Sequence, residues 1–286
     1  MMVWAILGRG KKERRMSFGE MMPDYVPEIA PAVRAEVMAS LRQIEQDHDV
    51  EILFAVESGS RAWGFPSPDS DYDVRFIYRH RLDWYLSLTP GRDVIELPIS
   101  DDLDVNGWDI RKALNLLMKP NPTLLEWLVS PVRYVWQAQA DELAAFAQQI
   151  EAGLSCQLHY LNLGRNSWKC AFQQDGTTHY KRLFYALRPA MALRWMRLHG
   201  QGQPPMNFQA LCQGCDVPRS VLGPIRELLH LKSRSREQQS GPSIPAVNEL
   251  IEAEFAHAEA RPFPKPKQDV QKQAEALFRA MMKVPF

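Results

Sequence analysis

The chain is poor in several things. It has four cysteines in 286 residues, too few for a disulfide framework. It has no long apolar run. The opening "VWAIL" is too short for the hydrophobic region of a signal peptide, and the basic "KKERR" follows it instead of preceding it. It has no net charge, because 34 Lys and Arg balance 34 Asp and Glu. That balance excludes a globally basic nucleic-acid binder and leaves any such contact to a local patch. No basic stripe interleaved with aromatics stands out. None of the seven histidines falls within residues 59–73, the most motif-rich stretch, which speaks against a histidine-based hydrolase there. Together these absences predict a cytoplasmic globular protein with no membrane partner.

Hydrophobic residues make up 45% of the chain, enough to fill a proper core at this length. The first 24 residues are expected to be a flexible tail, with Met16 or Met21 as alternative starts. From there, "APAVRAEVMASLRQIEQDHDV" places Val33, Val37, Leu41 and Ile44 on one helical face. "EILFAVE" is a short apolar run expected to form a buried strand. "DYDVRFIY" alternates, with Tyr72, Val74, Phe76 and Tyr78 facing one way and Asp71, Asp73 and Arg75 the other. "DVIELP" and "DLDVNGW" read as further strands. "RLDWYLSL", "DIRKALNLLMK" and "NPTLLEWLVS" read as helices. From about Asp141 the helical period dominates, broken by the polar loop "SRSREQQSGPSIP". The expected fold class is α+β. A mixed sheet with helices spans residues 25–140, and a helical domain spans 141–286.

The chemistry concentrates in "GSRAWGFPSPDSDYD", residues 59–73. A strand that ends in Gly59-Ser60 offers backbone N–H groups, a hydroxyl and no Cβ, which suits close approach of a phosphate. Asp71 and Asp73, two apart on a strand, project from one face. Like charges this close repel unless a cation compensates, and the options are Arg75 or a hard divalent ion. "DDLDVNGWD" offers a third carboxylate in Asp102, Asp104 or Asp109. Taken singly, each element has an ordinary reading: a Gly-Ser turn, an Asx turn at Asp71, a solvated strand residue at Asp73. The functional reading rests on their conjunction. Cys212-Gln-Gly-Cys215 has the spacing of a metal pair, but Cys156, Cys170, His199 and His230 supply no second pair, so no zinc site is expected.

"GSRAWGFPSPDSDYDVRFIY" resembles the signature of the DNA polymerase beta-like nucleotidyltransferase superfamily: Gly-Ser, a gap, then Asp-x-Asp. With "GWDIRKAL" and "NPTLLEWL" it resembles a bacterial group related to the polymerase-beta-like proteins of RNA repair operons. The helical half, through "YKRLFYALRP", resembles that group less specifically. The resemblance implies an N-terminal polymerase-beta-like catalytic domain followed by the helical domain. It implies that Asp71 and Asp73 bind two Mg²⁺ (or Mn²⁺) ions with a third carboxylate from a neighbouring strand, and that Gly59 and Ser60 hold a nucleoside triphosphate. Asp104 fits the third place best, since Leu103 and Val105 would point to the core; Asp102 and Asp109 remain alternatives. Arg61 is a candidate phosphate contact. Lys181, Tyr185 and Arg188, at helical spacing, are the candidate nucleotide-binding face of the helical domain. The implied reaction transfers a nucleoside monophosphate, AMP from ATP, to a hydroxyl, with pyrophosphate leaving. An RNA 3′ end is the favoured acceptor. The alternatives are a protein acceptor, which would make the enzyme an AMPylator, and a non-catalytic nucleotide sensor on the same fold.

Overall fold

The computed structural model describes residues 22, 24–89, 91–100, 102–200, 202–234 and 239–283, so the expected tail and its start methionines lie almost wholly outside the described residues. The first element is the expected amphipathic helix, α1 (Pro31–His48). It has proline in its first turn and the left-handed Asp49 at its end, and it buries Val37, Leu41 and Ile44. Then follow β1 (Val50–Ser58), α2 (Gly59–Trp63), β2 (Tyr72–His80), α3 (Leu82–Tyr85), β3 (Val94–Glu96), β4 (Leu103–Asp109), α4 (Ile110–Met118), α5 (Pro122–Leu128) and β5 (Arg133–Trp136). The strands form one five-stranded mixed sheet in the order β3-β4-β2-β1-β5. β1 runs antiparallel to β2 and β5, and β3 antiparallel to β4. β2 and β4 are parallel, so the chain must cross over between them, which α3 and β3 allow.

The period-two alternation sorts the two faces of the sheet. Val74, Phe76, Tyr78, Leu103 and Val105 join Val37, Leu41 and Ile44 in a core under α1. Ile77 points the other way, into a larger core that includes Leu117 of α4 and Trp127 of α5. In β1 the register shifts between Ile52 and Phe54. Consecutive residues Leu53 and Phe54 therefore both enter that larger core. Asp73 and Arg75 share the face of Ile77.

The remaining elements are α6 (Ala138–Ala147), α7 (Gly153–Lys169), β6 (Thr178–His179), α8 (Tyr180–His199), α9 (Phe208–Gly214), α10 (Arg219–Arg234), β7 (Ser240–Gly241), α11 (Pro245–Ala260) and α12 (Gln271–Met281). The helical period thus begins at Ala138. α8 is the spine of this half, buried through Leu183, Phe184, Leu187 and Met191. Its apolar residues belong to the same core as Phe54, Ile77 and Trp127, so the two halves share one interior. α12 returns to the sheet. The Arg79 guanidinium pairs with Glu51 and donates to the Met281 carbonyl, and Tyr85 meets Phe278 edge-on at 5.1 Å. Among the described residues no helix is long and apolar enough to cross a membrane.

Two features differ from expectation. β5 and the β6/β7 pairing were not expected, and part of the polar loop is strand, because Ser240–Gly241 pairs with Thr178–His179. Arg188 does not lie on an accessible nucleotide-binding face. It is 2% exposed, and its guanidinium is bonded to Glu126 Oε1 (2.8 Å) and the Met206 carbonyl (3.1 Å). It also lies over the Trp63 ring at 4.7 Å. Tyr160 donates to the same Glu126 oxygen at 2.8 Å. Two turns along α8 from Lys181, where helical spacing aligns residues, the side chain has turned inward. Replacing Arg188 by Ala would strand a buried carboxylate and is expected to cost about 3–5 kcal/mol. Urea denaturation checks this, and the Glu126→Leu/Arg188→Ala double variant should recover much of the loss.

Candidate functional site

The site is built at the end of β1 and the start of β2. β1 is a nearly continuous apolar run until Glu57, which is fully buried. Glu57 survives there because its carboxylate has partners: the backbone N–H of Asp73 (2.9 Å) and the Tyr134 hydroxyl (2.5 Å). Burial raises its pKa from the ordinary 4.5 to about 7, although both hydrogen bonds pull it down. Ser130 Oγ donates to the Glu57 carbonyl at 2.6 Å. The last residue of β1, Ser58, is paired with Asp73.

Gly59 then turns the chain with φ +64°, a left-handed conformation that favours glycine. A Cβ at Gly59 would sit 2.0 Å from Asp73 Oδ2. The space that glycine leaves open is therefore already taken up by the Asp73 carboxylate, which lies flat against the turn. Ser60 is buried, and its carbonyl accepts from the N–H groups of Gly64 and Phe65.

Arg61 reaches back over the loop. It donates to the Ser70 carbonyl (2.6 Å) and the Asp71 carbonyl (3.2 Å), and its guanidinium lies 3.8 Å from the centre of the Tyr72 ring. It clamps the loop that delivers Asp71. Asp71 itself is exposed and lies just before β2.

The parallel register pairs Asp73 with Asp104, and both side chains leave the sheet on the same face. Arg75 Nη2 joins them, 3.1 Å from Asp73 Oδ1 and 2.7 Å from Asp104 Oδ2. Burial raises the Asp73 pKa; Arg75 pulls it down, Asp104 and Asp71 push it up, and Lys181 pulls it down. Lys181, on α8 in the helical half, is thus near enough to act on the same carboxylate, and its ammonium lies 6.0 Å from the centre of the Tyr185 ring. Tyr185, one turn on, packs edge-on against Trp63 at 5.5 Å.

The alternatives for the third carboxylate separate cleanly. Asp109 is fully buried, accepts from Arg111 N (2.8 Å) and the Tyr85 hydroxyl (2.7 Å), and caps α4. Its place in β4, an odd number of residues from Asp104, puts it on the opposite face. Asp102 precedes β4 and contributes its carbonyl to the Tyr72 N–H (2.7 Å). The geometry brings together Gly59, Asp73, Arg75, Asp104 and, at the rim, Asp71 and Lys181. It leaves Arg188 in the interior. Cys212 and Cys215 are buried thiols with pKa values raised by burial.

The oxygen donors of Asp71, Asp73 and Asp104 suit a hard divalent cation. As they stand, Arg75 fills the ground between two of them. Among the described residues no three His, Cys, Asp or Glu side chains are grouped to hold a metal ion. A cleft of about 300 Å³ adjoins the far end of α2, lined by Tyr25, Gly64, Phe65, Gln209, Arg226 and Leu229 among others.

Sequence reasoning missed Glu57 and Tyr134. The available signal was a carboxylate closing an otherwise apolar strand directly before the Gly-Ser turn.

A mixed sheet that sets an Asp-x-Asp strand beside a third aspartate, with a Gly-Ser turn against it, marks a polymerase-beta-like nucleotidyltransferase fold. The model of the RNA repair pathway DNA polymerase beta family matches residues 33–283, and the chain belongs to that family. Uncharacterized protein YcgL of Bacillus subtilis (strain 168) is 41% identical over 227 residues, covering 78% of this chain and 85% of that protein. A solved nucleotidyltransferase-like protein from Exiguobacterium sibiricum 255-15 is 12% identical, with 87% of this chain and 81% of that chain covered. Its TM-score is 0.27, too low to carry an argument from shape.

Glu57 gives the site a pH signature. Its folded pKa lies above its unfolded value, so the folded state holds the extra proton, and that stabilisation is lost as pH rises through about 7. Relative to Glu57→Gln, the metal-free wild type should lose on the order of 2 kcal/mol between pH 5 and pH 8. Denaturant titrations of both proteins at the two pH values measure it.

Proposed function

We propose that the protein is a metal-dependent nucleotidyltransferase that moves a nucleoside monophosphate, AMP from ATP, onto a hydroxyl, with an RNA 3′ end as acceptor. The observation that carries the reading is the placement of Asp73 beside Asp104, with Gly59 against one side of Asp73 and the Lys181 charge near enough to act on it. The RNA acceptor draws its support from the family's name, which places its members in RNA repair.

In this reading Asp73 and Asp104, with Asp71 at the rim, hold Mg²⁺. When bound, the ion neutralises triphosphate charge and favours deprotonation of the attacking hydroxyl. The chain's own groups position the reactants. The turn at Gly59-Ser60 borders the triphosphate, and Lys181 supplies a cation from the opposite wall. Arg61 acts as a positioning residue, because it fixes the loop that carries Asp71. The acceptor oxygen forms a bond to the α-phosphorus as the α–β bridging bond breaks. Pyrophosphate leaves, and the hydroxyl proton passes to solvent. The cleft beyond Gly64 has apolar walls in Phe65 and Leu229 and polar groups in Gln209 and Arg226, a lining suited to the terminal nucleoside of the acceptor.

Incubation with α-labelled ATP, Mg²⁺ and an RNA oligonucleotide tests the reading. Label should enter RNA with a 3′ hydroxyl and be absent from RNA with a blocked 3′ end. Asp73→Asn and Asp104→Asn should each lower the rate by about 10²-fold or more. Label in a protein acceptor would redirect the substrate. Tight ATP binding with no pyrophosphate release across acceptors would overturn the enzyme reading. Gly59→Ala should also abolish transfer, since its methyl group would displace the Asp73 carboxylate; a crystal structure of that variant would locate the displaced group. Lys181→Ala should raise the KM for ATP about tenfold with less effect on kcat.

A further inference from the structure

Arg75 is held directly between Asp73 and Asp104, two of the side chains that the proposed reaction assigns to a metal ion, and the proposal rests on that assignment. Both of its terminal nitrogens are engaged. Nη2 spans Asp73 Oδ1 and Asp104 Oδ2, while Nη1 donates to the carbonyls of Asp104 (3.0 Å) and Val74 (3.1 Å). The guanidinium is mostly enclosed, at 18% side-chain exposure, so these bonds are poorly screened by solvent. It solves an electrostatic problem that the register creates, since neighbouring parallel strands present two carboxylates side by side. A divalent ion bridging the two carboxylates would solve the same problem from the same ground. Each carboxylate has a second oxygen to offer, but two cations crowded between Asp73 and Asp104 would repel each other.

We propose that Arg75 is a resident competitor of the divalent ion: it braces Asp73 and Asp104 while the metal is absent, and it gives up at least one of them when the metal enters. The consequence is a gate on metal occupancy. Without nucleotide, the ion must displace a charge-assisted bridge and leave a guanidinium with fewer acceptors. With nucleotide, the triphosphate oxygens offer the displaced fork a new bidentate partner. Metal binding alone is then weak, and metal binding with nucleotide is strong. Arg75 is a positioning residue in this scheme, acting on the reaction through Asp73 and Asp104.

The test is direct Mn²⁺ binding to the metal-free full-length chain, followed by the paramagnetic signal of free Mn²⁺. Wild type, Arg75→Gln and Arg75→Lys are compared, with Asp73→Asn as control. Removing the competing charge should tighten Mn²⁺ binding about tenfold or more in Arg75→Gln. Arg75→Lys keeps the charge but loses the fork, and should fall between the two. With a non-hydrolysable ATP analogue present, the advantage of Arg75→Gln should shrink to less than about threefold, because the displaced fork is then repartnered on phosphate. General structural damage would weaken the site, so the direction of change separates competition from mere support. Unchanged or weaker binding in Arg75→Gln overturns the proposal. If circular dichroism shows that variant to be unfolded, Arg75→Lys decides by the same sign. Binding that is equal in wild type and Arg75→Gln but lost in Asp73→Asn would sink the gate and leave the metal reading standing. No Mn²⁺ binding in any of them, with or without nucleotide, would sink both.

Discussion

The parallel register of β2 against β4 is the constraint on which the site depends. It pairs Tyr72 with Leu103, Val74 with Val105, and so, unavoidably, Asp73 with Asp104. The apolar members of both strands need α1's side of the sheet, where they complete a core with Val37, Leu41 and Ile44. A slip by one residue would send Val74 and Val105 to the cleft and the aspartates into the core. Hydrophobic burial on one face thus enforces charge crowding on the other. Arg75 offsets that crowding locally, and Glu57 holds the strand start by taking the Asp73 N–H.

The helical half reaches the site through α8. α8 supplies Lys181 at the rim and Arg188 at the interior, two turns apart on one helix, with different surroundings. Near the rim a cation meets carboxylates and solvent. Farther in, the cation must bring its own counter-charge, and Glu126 of α5 provides it. That buried pair, with Tyr160 and Trp63 against it, ties α5, α7, α8 and α2 to one another. The Gly-Ser turn is therefore fixed from both sides: by β1 and β2 below, and by this network beyond Trp63.

Much of this was legible in the sequence because period-two alternation is a strong signal. The strand phase of "DYDVRFIY" separates Asp73 and Arg75 from Val74 and Phe76, and the phase of "DLDVNGWD" separates Asp104 from Asp109. Asp109's helix-start position marks it as a cap, and it is one. What stayed hidden depends on tertiary contact. β5 is four residues long at a sheet edge, too short for a period. The β6/β7 ladder is two residues long on each side. Arg188 shares helical spacing with Lys181, and spacing alone does not say where the helix passes below the surface. Gly59 was legible as a close approach, but the approaching group is Asp73's carboxylate, which no local pattern reveals.

The arrangement also explains why the site is strained toward charge uptake. Burial disfavours the ionised forms of Glu57 and Asp73, and the charges of Asp104 and Asp71 push the Asp73 pKa up further. A fold selected for stability alone would replace such a cluster with apolar residues, since buried ion pairs seldom outperform them. Here the cluster is present, with the Arg75 guanidinium serving two carboxylates, Lys181 acting on Asp73 from α8, and a third carboxylate at the rim. On the proposed reading, a site with that crowding would gain more from an added cation than a neutral one would, and a triphosphate substrate would bring cations with it. On that reading, part of the electrostatic cost carried by the folded chain would be offset when the charged substrate complex binds.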